Sequence, residues 1–330
     1  MKALHNVEVA VLLATFNGAR FVEQQIRSLG ENDCRFTLCW LDDQSTDETR
    51  VVVREAVRGS RVQLRECHQD ERQGVPGAFF SLLECVEADI YLFCDQDDVW
   101  QPGKIDATVA ALLPEYDRPA LCCSDPLLFR NGTPDVLYRI SEILRTDAGV
   151  AMRESRVFMT GFANGHTQGF TRPLRELYMK HRSIARRYAY MHDEWMHSIA
   201  VASGSARLLN SVPTTLYRWR KDTASSAFGT WGGRGVGRAV VTWQQRQRFR
   251  RLLARHAKGL LLAAPTLPRG PRLERLLSIA KLVAVLERRQ SLFEVARLFA
   301  RGVLWPNWHL AIGLATACFL SDVRPDGDSC

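Results

Sequence analysis

The chain has 330 residues, of which 46% are apolar and 24% are charged, as is typical of a soluble globular protein with one large or two moderate domains. No segment approaches the roughly 20 uncharged residues that a membrane-spanning helix requires, and the N-terminal segment lacks a signal-peptide pattern. The nine cysteines contain no C-x-x-C pair and indicate neither a zinc site nor a disulfide framework, so we expect a reducing, cytoplasmic environment.

The net charge of +8 is unevenly distributed. Residues 231–301 contain 16 Lys and Arg against three Glu, whereas the rest of the chain is slightly acidic. The basic character therefore belongs to one segment near the C-terminus and needs an explanation there.

The first 125 residues alternate short apolar runs with amphipathic ones, which predicts a mainly parallel sheet with helices on both faces. Ser45 and Glu48 form a candidate capping box for the second helix, and Pro102 is expected at the start of the fourth. The strands are predicted at residues 7–14, 36–41, 61–66, 90–94 and 120–124.

Polar clusters follow three of these strands, at residues 15–17, 42–47 and 95–98. In open parallel sheets, ligands bind beyond the carboxyl ends of the strands, so we expect the three clusters to meet at one edge. Asp95 and Asp97 suit a Mg²⁺ ion that keeps positions for substrate phosphates. The alternatives are a solvated loop or, for Asp98, a helix cap.

The segments ATFN, LDDQSTDET, RQGVPGAFFSLL and FCDQDDVWQPGKI, in this order and spacing, resemble the family 2 glycosyltransferases of the GT-A fold. The DQDDVW form most resembles the rhamnosyltransferase-like branch, which acts on bacterial surface polysaccharide. GHTQGF, HDEW and LYR further along resemble acceptor-side motifs of that branch, and the resemblance spans residues 7–226.

The resemblance implies an inverting transferase that moves a sugar, with L-rhamnose as the first expectation, from a nucleotide-diphosphate donor to a glycan or lipid-linked oligosaccharide. Asp193 would be the catalytic base, and Asp95 and Asp97 would meet the diphosphate through Mg²⁺ or Mn²⁺. Trp195 would face the acceptor, although a core tryptophan is an equal alternative. The remaining implied contacts are Thr15, Asn17, Asp42, Asp43, Gln96 and Arg220 on the donor side and His166 on the acceptor side.

One departure concerns the end of the matched region. Family members commonly carry YRQH, whereas this chain has Arg220 in place of the histidine. Arginine cannot ligate a metal but can bind a diphosphate with two hydrogen bonds, so metal dependence stays open. A non-catalytic sugar-nucleotide-binding or membrane scaffold protein is the alternative function.

We predict a GT-A domain at 1–228, with a nucleotide-sugar-binding half at 1–125 and an acceptor half at 126–228. A glycine-rich linker at 229–238 and a basic helical extension at 239–330 would follow. Arginine interleaved with leucine over 239–320 favours contact with an anionic membrane at its cytosolic face. A helical domain with a solvated basic face is the alternative, and no motif indicates nucleic acid.

Overall fold

The structure is a computed structural model that describes residues 7–130, 133–139, 141–142, 163–209, 214–218 and 243–285. The predicted linker at 229–238 and Arg220 lie outside these residues.

The eleven strands in the described residues are β1 (Val9–Thr15), β2 (Thr37–Asp42), β3 (Gln63–Cys67), β4 (Ile90–Cys94), β5 (Val99–Trp100), β6 (Leu121–Ser124), β7 (Leu127–Arg130), β8 (Thr133–Arg139), β9 (Gln168–Thr171), β10 (Ala206–Leu209) and β11 (Thr215–Arg218). The five predicted strands fall close to β1, β2, β3, β4 and β6. The helices are α1 (Val22–Leu29), α2 (Thr49–Arg58), α3 (Gly74–Cys85), α4 (Lys104–Leu112), α5 (Arg172–Tyr188), α6 (His192–Ala202), α7 (Trp243–Ala263) and α8 (Pro271–Val285).

Seven strands form the central sheet in the order β10-β6-β9-β4-β1-β2-β3. Only β9 runs antiparallel to its neighbours, so the prediction of a mainly parallel sheet is confirmed. A smaller sheet, β5-β11-β7-β8, lies beside it and was not predicted. Three of its strands, β5, β7 and β11, have only two to four residues, which is too short for a periodicity to be visible.

The sheet is covered on both faces, and the alternation along β1 shows this directly. Val11 and Leu13 belong to one buried cluster with α1 and α4, whereas Ala10 and Leu12 belong to a second with α3, α5 and α6. A strand buried on both faces needs apolar residues at successive positions, which explains the continuous apolar run.

The helices α7 and α8 extend the second cluster. Ala254, Ala257 and Leu260 on α7 and Leu276 on α8 are fully buried in the same core as α5 and α6. The described part of the basic extension therefore packs against the sheet domain and uses its apolar face to do so. Within the described residues, no helix is long and apolar enough to cross a bilayer.

The predicted capping box is wrong. Helix α2 begins at Thr49, and Glu48 precedes it without a side-chain cap. The Ser45 hydroxyl instead donates to Asp42 Oδ1 at 2.6 Å. Pro102 lies in the turn before α4, where Gly103, at φ 77°, immediately precedes the helix. Ser45 also accepts from the Asn17 N–H, so it is engaged at the sheet edge instead of capping its own helix.

Candidate functional site

A cavity of about 250 Å³ opens at the carboxyl ends of β1 and β4. The predicted clusters do meet there, because residues after β1, β2 and β4 all contribute to its wall. Its polar and aromatic lining includes Thr15, Phe16, Asp43, Asp95, Gln96, Asp97, His166, His192, Asp193 and Tyr217.

The end of β1 is joined to the end of β2. The Thr15 hydroxyl donates to Asp42 Oδ1 at 3.0 Å and accepts from the Trp40 indole at 2.9 Å. Burial raises the pKa of Asp42, but hydrogen bonds from Ser45 and Arg50 outweigh it and hold the pKa below its usual value. Asp42 thus orders the strand ends and is absent from the cavity wall.

The loop after β1 is held by the loop after β2. The Asn17 N–H donates to the Ser45 hydroxyl at 2.9 Å, and Asn17 Oδ1 accepts from the Thr46 N–H at 2.9 Å. Asn17 adopts φ 47°, a left-handed conformation that asparagine tolerates better than most residues. The Asn17 side chain therefore holds the loop after β1 against the loop after β2.

Asp43 anchors the segment that leads into α3. Its carboxylate accepts from the N–H groups of Gln73 and Gly74, both at 2.7 Å, and from the Gln69 side chain. Asp43 is buried yet lines the cavity, so it links the floor of the cavity to the position of α3.

Gln96 closes the gap between the loops after β1 and β4. Its Oε1 accepts from the Phe16 N–H at 2.9 Å, and its Nε2 donates to the Phe16 carbonyl at 3.0 Å. This two-point contact holds the acidic loop against the end of β1, so the amide that was predicted to contact the donor serves to connect two loops.

The acidic loop is half-buried at Asp95 and Asp97 and buried at Asp98. Burial, together with the charges of Asp97 and Asp193, raises the pKa of Asp95 to about 8. Burial, with Asp97 and Asp95, likewise raises the pKa of the fully buried Asp98 far above its usual value. A site that concentrates carboxylates in this way favours the approach of a cation.

Lys104, from the P-x-K part of the motif, lies beneath this loop. Its ammonium donates to the His166 carbonyl at 2.6 Å and sits 3.3 Å from the centroid of the Trp100 ring. Burial lowers its pKa to about 7, while nearby acidic groups including Asp98 and Asp95 act to raise it. Lys104 partly offsets the negative charge of the loop, a role that its position in the sequence does not indicate.

Arg218, from the LYR motif, fixes the same loop from the second sheet. Its backbone N–H donates to Asp98 Oδ1 at 3.0 Å, and its Nε donates to the Asp97 carbonyl at 2.7 Å. The guanidinium is buried between the rings of Phe21 and Phe129, so its chief described contacts are structural.

A divalent cation fits three side chains of this region. Asp95, Asp98 and His166 each offer a ligand atom, and these atoms all lie within 4.8 Å of one another. Asp98 Oδ2 lies 3.5 Å from His166 Nδ1, and neither Asp98 Oδ2 nor either ring nitrogen of His166 has a hydrogen-bond partner in the described residues. The predicted ligands were Asp95 and Asp97; the grouping instead joins Asp95 to Asp98 and His166, while Asp97 lines the cavity.

Asp193 is distant from the acidic loop in the sequence, but it lines the same cavity. It lies in the first turn of α6, where its Oδ2 accepts from the Gly165 N–H and its Oδ1 from the Glu194 N–H, both at 2.8 Å. Two fixed donors therefore orient a carboxylate toward the space shared with Asp95 and Asp97.

The neighbours of Asp193 in HDEW have different surroundings. His192 lines the cavity and stacks on Phe79, with ring centroids 3.9 Å apart. Trp195 has 0% exposure and packs in the core against His256 of α7, so it presents no face to the cavity. Trp195 is therefore a core tryptophan, as the alternative prediction stated. Helix α6 is buried on every side, so its sequence has no polar face that would indicate the direction of Trp195.

Comparison with known proteins agrees with the fold and matches the N-terminal part of the chain to a known family. Residues 10–125 match the sequence model described as Glycosyl transferase family 2. The chain is 28% identical over 104 residues to the uncharacterized glycosyltransferase alr2836 of Nostoc sp. (strain PCC 7120), covering 31% of this chain and about a third, 32%, of that relative's length.

Two solved structures share the overall architecture. One is residues 1–349 of TarS from S. aureus in complex with UDP-GlcNAc, with a TM-score of 0.58, 16% identity, and coverage of 84% of this chain and 72% of that one. The other is the mannosyltransferase PcManGT from Pyrobaculum calidifontis in complex with GDP-Man and Mn²⁺, with a TM-score of 0.53, 16% identity, and coverage of 97% and 88%. The protein therefore has a GT-A-type α/β fold whose residues 10–125 carry the glycosyltransferase family 2 sequence pattern.

Proposed function

We propose that the protein is an inverting glycosyltransferase that moves a sugar from a nucleoside-diphosphate donor to a hydroxyl group of a glycan or lipid-linked oligosaccharide. The observation that carries this proposal is the convergence of Asp43, Asp95, Asp97 and Asp193, from separate segments, on one cavity at the carboxyl edge of the sheet.

The charge of the site favours a donor that arrives with a cation. A diphosphate is anionic, and the ionised forms of Asp95, Asp97 and Asp98 would repel it without a positive charge between them. Asp95, Asp98 and His166 are the described residues that would hold Mg²⁺ or Mn²⁺. When bound, such an ion acts as a Lewis acid that offsets the charge of the departing diphosphate.

Asp193 is suited to accept the proton of the acceptor hydroxyl. General-base catalysis requires a carboxylate held within hydrogen-bond reach of the attacking group, and the N–H groups of Gly165 and Glu194 hold it. Sugar transfer passes through a cation-like anomeric centre, as in glycoside hydrolysis. One base, with no second carboxylate assigned as a nucleophile, corresponds to direct displacement and inversion.

The proposed identity of the donor sugar and of the acceptor depends on the sequence motifs. The DQDDVW segment supports L-rhamnose carried by dTDP as the first donor to test, and extension of a surface polysaccharide as the setting. Thr15, Asn17, Asp42, Asp43 and Gln96 would shape the nucleotide pocket, the last four through the loop contacts described above. His166 would act at the metal and the acceptor side, and Arg220 would bind diphosphate.

The proposed membrane contact depends on the basic residues of α7. Arg251, Arg255 and Lys258 recur at helical spacing on the exposed side of α7, whereas the opposite, apolar side is buried in the core. An anionic lipid surface would attract this stripe at the cytosolic leaflet, where a lipid-linked acceptor would be presented.

The test is calorimetric titration of nucleotide sugars, among them dTDP-L-rhamnose, UDP-GlcNAc and GDP-mannose, with Mg²⁺, Mn²⁺ or a chelator. We expect metal-assisted binding of one donor, weakened at least about tenfold in Asp95→Ala. Asp193→Asn should keep donor affinity within about twofold, yet lower sugar transfer, or slow donor hydrolysis, by about 10²–10⁴-fold. Asp117→Ala, an exposed carboxylate outside the cavity, is the control.

Each other outcome contradicts a defined part of the proposal. Failure of the folded protein to bind any donor would overturn donor binding and favour the scaffold alternative. Binding with turnover unchanged in Asp193→Asn would overturn the assignment of the base. Equal donor binding with metal and with chelator would contradict the requirement for a cation and would favour Arg220 as the residue that binds the diphosphate.

A further inference from the structure

Two cysteines that end different secondary-structure elements meet at one edge of the fold. Cys67 is the last residue of β3 and Cys85 is the last residue of α3. Their sulfur atoms lie 3.0 Å apart, and both thiols are free. A disulfide requires a sulfur separation of about 2.0 Å, so a side-chain movement of about 1 Å brings the two atoms to bonding distance.

Solvent can reach this pair. Cys85 is exposed and Cys67 is partly exposed, whereas Cys39, Cys94 and Cys122 are buried in the core. Accessibility to a small oxidant is the first requirement for reaction at a thiol, and the cysteine pair meets it.

Arg65 favours reaction at Cys85. It lies two residues before Cys67 on β3, and its guanidinium donates to the Cys85 carbonyl at 3.0 Å. The hydrogen bond between Cys85 and Cys67 lowers the pKa of the Cys85 thiol, partial burial raises it, and the charge of Arg65 lowers it again, to about 7. Burial and the nearby Asp106 raise the pKa of Cys34 to about 11, so that half-buried thiol stays protonated at neutral pH.

We propose that Cys67 and Cys85 form a thiol–disulfide exchange site that takes low-molecular-weight disulfides such as oxidised glutathione. The Cys85 thiolate attacks one sulfur of the small disulfide, and one glutathione thiolate leaves. The Cys67 sulfur, after losing its proton to solvent, then attacks Cys85 and expels the second glutathione. The two cysteines are oxidised to a disulfide while oxidised glutathione is reduced to two glutathione molecules.

The cross-link would enclose a segment that matters to the cavity. Residues 67–85 include Gln73 and Gly74, whose N–H groups hold Asp43, and Phe79, which lines the cavity wall. Closing a loop of this size restricts the unfolded chain and stabilises the fold. The proposal itself concerns thiol chemistry and stands independently of the proposed sugar transfer.

The experiment incubates the full-length protein with oxidised glutathione at pH 7.5, followed by intact mass and non-reducing peptide mapping. We expect a loss of about 2 Da, a linked peptide pair containing Cys67 and Cys85, and an apparent Tm higher by about 3–6 °C, all reversed by dithiothreitol. Cys67→Ser should stop at a glutathione adduct on Cys85, whereas Cys34→Ser should behave as the wild type.

Three results would overturn the proposal. One is an unchanged mass in the wild type under these conditions. Another is a glutathione adduct on wild-type Cys85 that never resolves to the internal disulfide. The third is a linked pair that joins other cysteines. Because peptide mapping uses the wild-type chain, the conclusion does not depend on whether a variant folds.

Discussion

The backbone N–H of Gly165 donates a hydrogen bond to Oδ2 of Asp193 at 2.8 Å, although 28 residues separate the two. The contact joins the turn before β9 to the first turn of α6, at the wall of the cavity. A Cβ atom at position 165 would lie 2.9 Å from His192 Nε2 and 3.4 Å from Asp193 Cβ. The position of the candidate base therefore depends on the absence of a side chain at Gly165.

Gly165→Ala should reduce turnover more than it reduces donor binding. The new methyl group would push against His192, which is buried and stacked on Phe79, and so would displace Asp193 from its donors. A misplacement of about 1 Å costs on the order of 100-fold in rate. Steady-state transfer or donor hydrolysis, beside donor titration, measures the two effects separately. Gly270→Ala is the control because nothing lies within 4 Å of its Cβ position; equal losses in both variants would contradict the assignment.

Leu260→Ala should destabilise the whole protein, because α7 shares the core of the sheet domain. Leu260 is fully buried in that core, whereas Leu262 on the same helix is 50% exposed. Removing a buried leucine costs about 2–5 kcal/mol, and we expect less than about 0.5 kcal/mol for Leu262→Ala. Denaturant unfolding of both variants measures the difference. Equal midpoints would mean that α7 is not part of the folded core.

Glu84→Gln should lower stability in a pH-dependent way. Glu84 on α3 accepts hydrogen bonds from Arg186 and from the Tyr178 hydroxyl, both at 2.8 Å. Burial raises its pKa, but hydrogen bonds from Arg186 and Tyr178 outweigh burial and hold the pKa below the ordinary value of 4.5. Because the folded-state pKa is depressed, the stabilisation is present above pH 4.5 and is lost as the pH falls through the folded-state value.

We expect Glu84→Gln to be about 1 kcal/mol less stable than the wild type at pH 7, and the difference to shrink toward pH 3. Thermal unfolding across this range makes the measurement. Glu87→Gln, at an exposed position three residues further along, should match the wild type at every pH. A constant difference for Glu84→Gln from pH 7 to pH 3 would show that packing, not charge, is responsible.

Reversing the charge of the α7 stripe should abolish vesicle binding without unfolding the protein. Arg251, Arg255 and Lys258 are exposed, so their replacement by Glu leaves the core intact. Each basic residue near an anionic bilayer contributes about 1 kcal/mol, and salt screens this attraction. Cosedimentation with phosphatidylserine-containing vesicles should therefore be strong at low salt, weak at high salt, and absent in the triple variant.

A charge-matched control separates this stripe from the overall charge. Replacing the exposed Arg35, Arg58 and Arg61 by Glu changes the net charge by the same amount at another surface. We expect this control to bind vesicles nearly as the wild type does. Equal loss in the two triple variants would contradict a localised membrane-facing stripe.

The parallel strands β1, β2, β3, β4 and β6 and the edge at which the cavity lies follow from the sequence. The run from Val9 to Leu13 is continuously apolar because β1 is buried on both faces. Once the alternation of strands and helices is known, the carboxyl ends of parallel strands must share one edge. This topological constraint brings Thr15, Asp43 and Asp95 together without any knowledge of side-chain packing.

Only the tertiary structure decided which side chains face which partner. Ser45 accepts a hydrogen bond from the Asn17 N–H instead of capping α2, Trp195 packs against His256 instead of facing the cavity, and Cys67 meets Cys85 at the ends of two elements. These outcomes depend on the relative placement of elements that are distant in the chain. Periodicity along the sequence reports how a segment alternates between buried and exposed positions, but which neighbour buries it is set by the packing of the whole fold.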